Sequence, residues 1–247
     1  MSKTALFGAF LLLLLALSSG VAAPPFQAHT SAVPQASNPS SSAGSVLAAD
    51  KGKFRILVNG QQVGTEEFEI APSRNAWVAH GVTELHAAQG PVTRVTGTLR
   101  LASDGTPLSY EWSTEGPKKA AATIQFQGSS ANIELRLPGS RPFDQQFTFS
   151  SPRVVVLDNN LYHQYAVLAR LYDSEKKGSQ SFSVLVPQSM TPGTVNVESL
   201  GLQAAEDGKK FQELRVRTED LDVDLFLDAD KLMRIVVPGS NAEIIRE

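Results

Sequence analysis

A β-hairpin is indicated by the sequence Phe54-Arg55-Ile56-Leu57-Val58-Asn59-Gly60-Gln61-Gln62-Val63. Its two halves favour strands, and Asn59-Gly60 between them is a strong hairpin signal because both turn positions need a positive φ. A two-residue loop there predicts that Ile56 pairs with Val63. The apolar parity changes beyond Val63, and a bulge at Gly64 would restore it.

Further strands are expected at short intervals after this hairpin. Turn residues recur about every 8–12 residues, which is the spacing typical of all-β proteins. We therefore predict an all-β domain, an antiparallel meander curled into a barrel, a half-barrel or a two-layer sheet, because so many strands rarely stay in one flat sheet. The expected strands are 76–87, 92–102, 108–113, 123–127, 132–137, 153–157, 181–186, 194–200, 211–218, 221–227, 233–237 and 242–246.

One amphipathic helix is predicted at about 159–172, with Asp158 or Asn159 as its cap. The apolar stripe that defines it has two interpretations. It packs in the core, as such stripes usually do, or it forms a lid over the mouth of the curled sheet, where ligands often bind. In the second case the stripe would line a ligand site, and its members are Leu161, Tyr165, Leu168 and Tyr172.

A second hairpin is predicted near the C-terminus, where acidic and apolar residues alternate. Asp222 and Asp224 resemble the start of a calcium loop, but Leu225 stands where that loop needs glycine. A two-residue turn would instead place Arg217 opposite Asp222 and Arg215 opposite Asp224, leaving a wet acidic face on a half-buried strand. Cross-strand ion pairs thus explain the alternation without a metal.

The N-terminal 50 residues differ in composition from the rest of the chain. Lys3, an apolar run at 5–17 and a small-residue stretch predict a secretory signal peptide at 1–23. The run is shorter than the roughly 20 residues that span a bilayer, so we expect cleavage, no transmembrane span afterwards, and a periplasmic or secreted location. Residues 24–50 are predicted to be a disordered Pro/Ser/Ala tether, and 51–247 a single β domain.

Composition excludes several classes of function. The chain has no cysteine, which rules out disulfides, thiolate metal sites and cysteine nucleophiles. Lys and Arg number 22 against 25 Asp and Glu, with no basic stripe, so we expect no nucleic-acid partner.

No residue pattern indicates catalysis or metal binding. His80, Glu84 and His86 share strand parity, but His80 and His86 would lie roughly 20 Å apart along a regular strand. His163 has aspartates nearby in sequence, yet no strand–turn–helix nucleophile motif occurs. We therefore assign no catalytic residue, no cofactor and no metal ligand.

Three stretches carry recognisable turn chemistry. They are Val58–Glu66, with the pattern G-x-x-V-G-x-E, then Ser103–Glu111, and Leu227–Ile235, with D-x-D-x-L. In order and spacing they resemble uncharacterised exported bacterial β-rich domains grouped as domains of unknown function. Lys231 departs from that pattern, since glycine is usual there. The resemblance implies an antiparallel, curled β architecture in the cell envelope and supplies no catalytic residue.

Three functions remain open from the sequence. The first is a non-enzymatic periplasmic or secreted binding module for an apolar ligand or an extended peptide. The second is a structural or assembly protein that pairs by an edge strand with an envelope protein. The third is a hydrolase or metal-dependent enzyme. A closed apolar cavity would favour the binding module. A filled interior with an uncharged sheet edge would favour the assembly protein, and a cleft that gathers histidine and carboxylate side chains would favour the enzyme.

Overall fold

A computed structural model describes residues 45–86, 90–204, 208–218 and 220–247. The predicted signal peptide and most of the predicted tether lie outside these ranges. The described residues form one α-helix, α1 (His163–Leu171), and two short 3₁₀ helices, Pro187–Ser189 and Pro238–Ser240. The strands are β1 (Asp50–Val58), β2 (Gln61–Ser73), β3 (Ala76–His86), β4 (Val92–Leu101), β5 (Pro107–Glu115), β6 (Ala120–Gln127), β7 (Ser130–Arg136), β8 (Phe143–Thr148), β9 (Val154–Val156), β10 (Gln180–Val186), β11 (Thr191–Ala204), β12 (Lys210–Arg217), β13 (Asp222–Asp228), β14 (Lys231–Val237) and β15 (Ala242–Arg246).

The 15 strands form a single curled, open sheet. From β8 the order runs back to β1, which pairs with β15, and continues down to β9. Neighbouring strands are antiparallel except for β9 and β10, and β9 comes round to contact β5. The prediction of an all-β, antiparallel, curled architecture is confirmed. Every strand belongs to the same open sheet, which has two edges and is not a closed barrel.

The first hairpin has the predicted turn and a bulge one residue earlier than expected. Asn59 and Gly60 have φ values of 51° and 75°, as a two-residue turn of this kind requires. Ile56 pairs with Gly64 instead of Val63, so Val63 is the extra residue of the bulge. The shift keeps Gly64 and the alternate residues after it on the buried side of β2.

The second hairpin has the predicted register. Arg217 lies opposite Asp222, and Arg215 opposite Asp224, with ion-pair distances of 3.0 and 2.7 Å. The prediction of a wet acidic face was wrong in one respect. Asp224 is buried beside Glu213, because Arg215 and the neighbouring strands cover it.

Helix α1 runs inside the curl of the sheet and contacts β3 and β14. It is shorter than predicted, since residues 159–162 are turn and irregular backbone. It is also buried on almost every side instead of being amphipathic; only Arg170 is partly exposed. Within the described ranges, no helix has the length and hydrophobicity needed to cross a membrane.

Two facing glycines make room for the helix. Gly81 on β3 pairs with Gly97 on β4, and both lie on the concave side of the sheet. A Cβ at Gly81 would lie 2.5 Å from the ring of His163, and a Cβ at Gly97 would collide with Leu161. The glycine pair is therefore a notch that receives the start of the helix.

Residues 45–50 belong to the domain and not to a tether, which corrects the predicted boundary. Leu47 is buried in the core, and the backbone N–H of Val46 donates to the carbonyl of Ser103. Asp50 is the first residue of β1 and is itself buried. The boundary was predicted from the Pro/Ser composition, which gives no indication of single residues that anchor a segment to the core.

We expect Gly81→Ala to lower the free energy of unfolding by about 1–3 kcal/mol, since the added methyl group must displace His163. Gly193→Ala on β11 is the matched control: its Cβ would meet only Val184, at 3.6 Å. Urea unfolding at neutral pH measures both. Equal stability of the two variants would show that the notch is not tightly packed.

Candidate functional site

The N-terminus of α1 is capped by a carboxylate from the sheet. Oε2 of Glu66 on β2 accepts a hydrogen bond from the backbone N–H of Tyr162 at 2.7 Å. Oε1 accepts from the backbone N–H of His163 at 3.4 Å and lies 2.5 Å from its Nδ1. A helix N-terminus favours a negative charge, and these donors offset the cost of burying it. The predicted caps, Asp158 and Asn159, do not cap the helix, because it begins only at His163. Its cap residue is Tyr162, whose side chain makes no capping hydrogen bond.

The Glu66–His163 pair has no exposed side-chain surface. It lies against a column of rings in which Phe54 stacks on Phe68 at 4.9 Å and Phe68 on His163 at 5.9 Å between centroids. Arg246 lies over the Phe68 ring, 5.3 Å from its centroid. The helix start is thus held by both hydrogen bonds and aromatic packing.

A second buried network continues from the same turn. The hydroxyl of Tyr110 on β5 donates to Asp158 Oδ2 at 2.6 Å, and the backbone N–H of Asn160 donates to Oδ1 at 3.0 Å. Gln164 Oε1 accepts from the backbone N–H of Asp158 at 2.6 Å. The hydroxyl of Thr83 donates to the carbonyl of Asn160 at 2.6 Å. The turn before the helix is therefore bonded to strands on two sides.

Burial shifts the acidities in this network. Burial raises the pKa of Asp158 above its ordinary value, although hydrogen bonds from Tyr110 and the Asn160 backbone act in the opposite direction. Burial and the nearby Asp158 charge raise the pKa of Tyr110 well above its usual range. Burial raises the pKa of Tyr165 to about 12. These phenols are neutral at any physiological pH and act here as hydrogen-bonding or apolar groups.

Several buried polar atoms near the helix start have no hydrogen-bond partner among the described residues. They include Nε2 of His163, the hydroxyl of Tyr162 and Nε2 of Gln164. Histidine, carboxylates and tyrosine are the usual groups of acid–base chemistry. Here Glu66 and His163 are fully enclosed, so the contacts they make anchor the helix and present no surface to a substrate.

The other end of the helix is anchored by a buried ion triad. Arg246 on β15 donates to both oxygens of Asp50, at 2.6 and 3.1 Å, and Arg170 of α1 donates to Oδ2 at 3.3 Å. Burial raises the pKa of Asp50, but the hydrogen bonds and charge of Arg246 and the charge of Arg170 outweigh it, so that the pKa lies below its ordinary value. The triad joins the first strand, the last strand and the helix.

An open cavity of about 810 Å³ lies beyond this end of the helix. We call it the mouth cavity. Leu171 and Phe182 are its buried apolar residues, and Tyr172 is half-buried. The remainder of the lining comes from Val46, Asp104, Thr106, Ser150, Ser151, Pro152, Arg153, Arg170, Asp173, Lys176, Gln180, Ser181, Ser183 and Thr194.

The rim of the mouth cavity is rich in hydrogen-bonding groups, many of them engaged with one another. Lys176 pairs with Asp173 at 3.3 Å, and the Ser150 and Ser183 hydroxyls lie 3.2 Å apart. Asp104 is bonded to Thr106 in the β4–β5 turn. An apolar floor inside a polar rim suits a ligand that has both characters.

The four residues predicted to line a ligand site separate in the structure. Leu161, Tyr165 and Leu168 are buried in the core, packed inside the curl of the sheet. Tyr172, just after the helix, lines the mouth cavity. The stripe is therefore divided between packing along the helix and a cavity wall at its end.

The polar strand residues considered for metal binding lie apart from this site. His80 Nδ1 is 2.9 Å from the Thr98 hydroxyl, and Glu84 pairs with Arg94 at 2.6 Å. His86 is exposed at the end of β3. In the described ranges, no group of three or more His, Asp or Glu side chains could hold a metal ion.

Comparison with known proteins supports the fold. No protein-family model matches the sequence, and no curated protein matches it significantly. A crystal structure of a β-barrel-like protein of the domain of unknown function DUF1849 from Brucella abortus is similar, with a TM-score of 0.57 and 9% identity over 83% of this chain and 97% of the other. A DUF1089 family protein from Pseudomonas aeruginosa has a TM-score of 0.45 and 9% identity, over 71% and 90% of the two chains.

The likeness to the DUF1849 structure supports a β-barrel-like, β-rich fold for this chain. This coarse part of the predicted resemblance is confirmed. The relation to exported bacterial domains through the three motifs, and the export itself, stay predictions.

Sequence reasoning did not assign Glu66 a role, although a signal was present. Glu66 shares strand parity with Phe68 and Ile70, so it is an acid on the buried face of β2. It is also the last residue of the G-x-x-V-G-x-E pattern. An acidic residue at a core-facing position of a strand indicates a buried hydrogen-bonding partner, which here is the start of the helix.

We expect Glu66→Gln to lower the free energy of unfolding by about 1–3 kcal/mol, because the amide cannot accept from all three N–H groups. Glu67→Gln is the control: its side chain is exposed and points to the other face. Urea unfolding compares the pair. A variant at Glu66 that is no less stable than the one at Glu67 would contradict the capping role.

We expect Asp50→Asn to cost about 3–5 kcal/mol at pH 7, because it leaves two arginines buried without their anion. The pKa of Asp50 is depressed in the folded state, so its contribution is present above the ordinary value of 3.8 and is lost as pH falls through the folded pKa. The difference from the wild-type protein should therefore shrink below pH 3.8. Denaturant unfolding at a series of acid pH values measures the difference in unfolding free energy between the variant and the wild-type protein. Asp222→Asn, which removes an exposed ion pair, is the control. A difference for Asp50→Asn that does not change with pH would contradict the role of the triad.

Proposed function

We propose that this protein is a non-enzymatic binding module and that its ligand occupies the mouth cavity. The closed apolar cavity that the sequence analysis associated with this function is not found within the described residues, because α1 occupies the curl; the support comes instead from an open cavity. Helix α1 fills the curl of the sheet, whereas about 810 Å³ is open where the helix ends. This volume lies in the range common for small-molecule sites.

The lining favours an amphipathic ligand or an extended peptide over a purely apolar one. Leu171, Phe182 and Tyr172 offer an apolar floor for a chain or ring. Arg153 and Lys176 on the rim are cationic, and the serine hydroxyls are donors for a polar head. An extended peptide would use the same groups through its backbone.

The walls of this cavity are bonded to the rest of the domain, and such preorganisation reduces the ordering cost of binding. Arg170, next to Leu171, is tied to Asp50, and Gln180 exchanges hydrogen bonds with the Asp173 backbone at 2.7 and 3.0 Å. These contacts join the floor of the cavity and the loop after the helix to the sheet and to each other. We further propose that the protein works in the periplasm or outside the cell, on the basis of the leader pattern in the sequence.

A blocking substitution tests the site without disturbing the core. Thr194→Trp places an indole in the mouth cavity from β11. Leu202→Trp is the control, since Leu202 is exposed on the same strand but outside the lining. The probe is anilinonaphthalene sulfonate, an aromatic anion whose fluorescence rises in apolar surroundings.

We expect saturable dye binding by the wild-type protein, about tenfold weaker binding by Thr194→Trp, and little change in Leu202→Trp. Native mass spectrometry of the protein purified from its own cells should show a bound small molecule or peptide that Thr194→Trp lacks. Dye binding that is absent, or equally reduced in both variants, would refute the mouth cavity as the site.

A further inference from the structure

We propose that two copies of this chain associate through strand β8, which forms a continuous antiparallel sheet across a two-fold axis near Gln145. This surface is separate from the mouth cavity, and the inference does not depend on the proposed ligand.

The two edges of the sheet are protected to different degrees. At one edge, β9 is three residues long, wholly buried, and covered by its contact with β5. At the other edge, β8 is six residues long and hydrogen-bonded only to β7 in the described sheet. Strand β8 is the last strand in the order at this edge, so the side of it that faces away from β7 has no strand neighbour in the described sheet.

Strand β8 lacks the features that usually protect an edge. Natural edges carry lysine, proline, bulges or inward-pointing charges. The six residues Phe143-Asp144-Gln145-Gln146-Phe147-Thr148 contain a single charge, and their pairing with β7 has no bulge. Every one of them is exposed or only half-buried. Such an edge is a template for another strand.

The side chains of β8 fit a second copy of the same strand. In an antiparallel pair centred on Gln145, Phe143 of each copy lies opposite Phe147 of the other. Asp144 then lies opposite Gln146, so no two like charges face each other directly. Aromatic cross-strand pairs stabilise sheets, and this register forms two of them on one face.

That face is the continuation of the core. Phe143, Gln145 and Phe147 lie opposite Leu135, Ile133 and Ala131 of β7, of which the last two are buried. Phe143 is nevertheless 51% exposed, because the sheet ends beside it. Phe147 of a second copy would cover this ring. The apolar face of each copy would then continue onto the β8 strand of the other. The contact is small beside a typical stable interface, so we expect a dimer that dissociates on dilution.

Complementary charges on the axis provide the test. Gln145→Lys places two like charges opposite each other, and Gln145→Glu does the same with the other sign. Sedimentation velocity over a range of concentrations measures each variant alone and the equal mixture. Gln125→Lys on β6 is the control, as Gln125 is exposed but lies away from the edge.

We expect a concentration-dependent dimer for the wild-type protein and for Gln125→Lys. Each Gln145 variant alone should have a dissociation constant raised about tenfold, and the mixture should recover dimer by forming a Lys–Glu pair. A wild-type protein that stays monomeric overturns the proposal. So does a dimer that the Gln145 variants leave unchanged, or a mixture that remains as weak as its components. Circular dichroism of every variant confirms that the fold is intact.

Discussion

The carboxylate of Glu66 is the constraint on which the rest of the structure depends. A charge without solvent is unstable unless donors surround it, and the donors here are the N–H groups that begin α1 and the ring of His163. This requirement places the helix inside the sheet, against β2. Gly81 and Gly97 then have to be glycine, because the helix start occupies the space of their side chains. The position of one acid therefore determines which neighbours must be small.

The opposite end of the helix is held by the same kind of interaction. Asp50 and Glu66 lie on adjacent strands, and each binds one end of α1. Arg246 joins this arrangement from the last strand, so the chain termini of the domain are bonded to one another through Asp50. With both ends of the helix bonded to the sheet, its last residue, Leu171, and the following Tyr172 lie in the wall of the mouth cavity. The anchoring network inside the protein thus shapes the site at its surface.

The two edges of the sheet have different surroundings. At one edge, β9 returns to contact β5. At the other, β8 ends the strand order beyond β7, while inner residues of β6 and β7 such as Ile124 and Ile133 still belong to the core. A ligand and a protein partner would consequently use different regions, the first at the end of the helix and the second at β8. The two regions share no residue, although Ser150 of the cavity lining follows the end of β8 by two residues.

The sequence by itself determined the features that depend on local chemistry. Asn59-Gly60 specifies a turn, and the alternation of charged and apolar residues specifies the register that places Arg217 opposite Asp222, because a one-residue slip would expose one face and bury the other. It did not reveal β8, whose glutamines and single aspartate carry no strand pattern and which exists because β7 offers a partner. Nor did it show that the helical stripe would be enclosed. Whether Leu168 packs in a core or closes a lid depends on how far the sheet curls, and only the tertiary structure decides that, because the curl results from the twist summed over many strands and from the buried anchors that hold the helix within it.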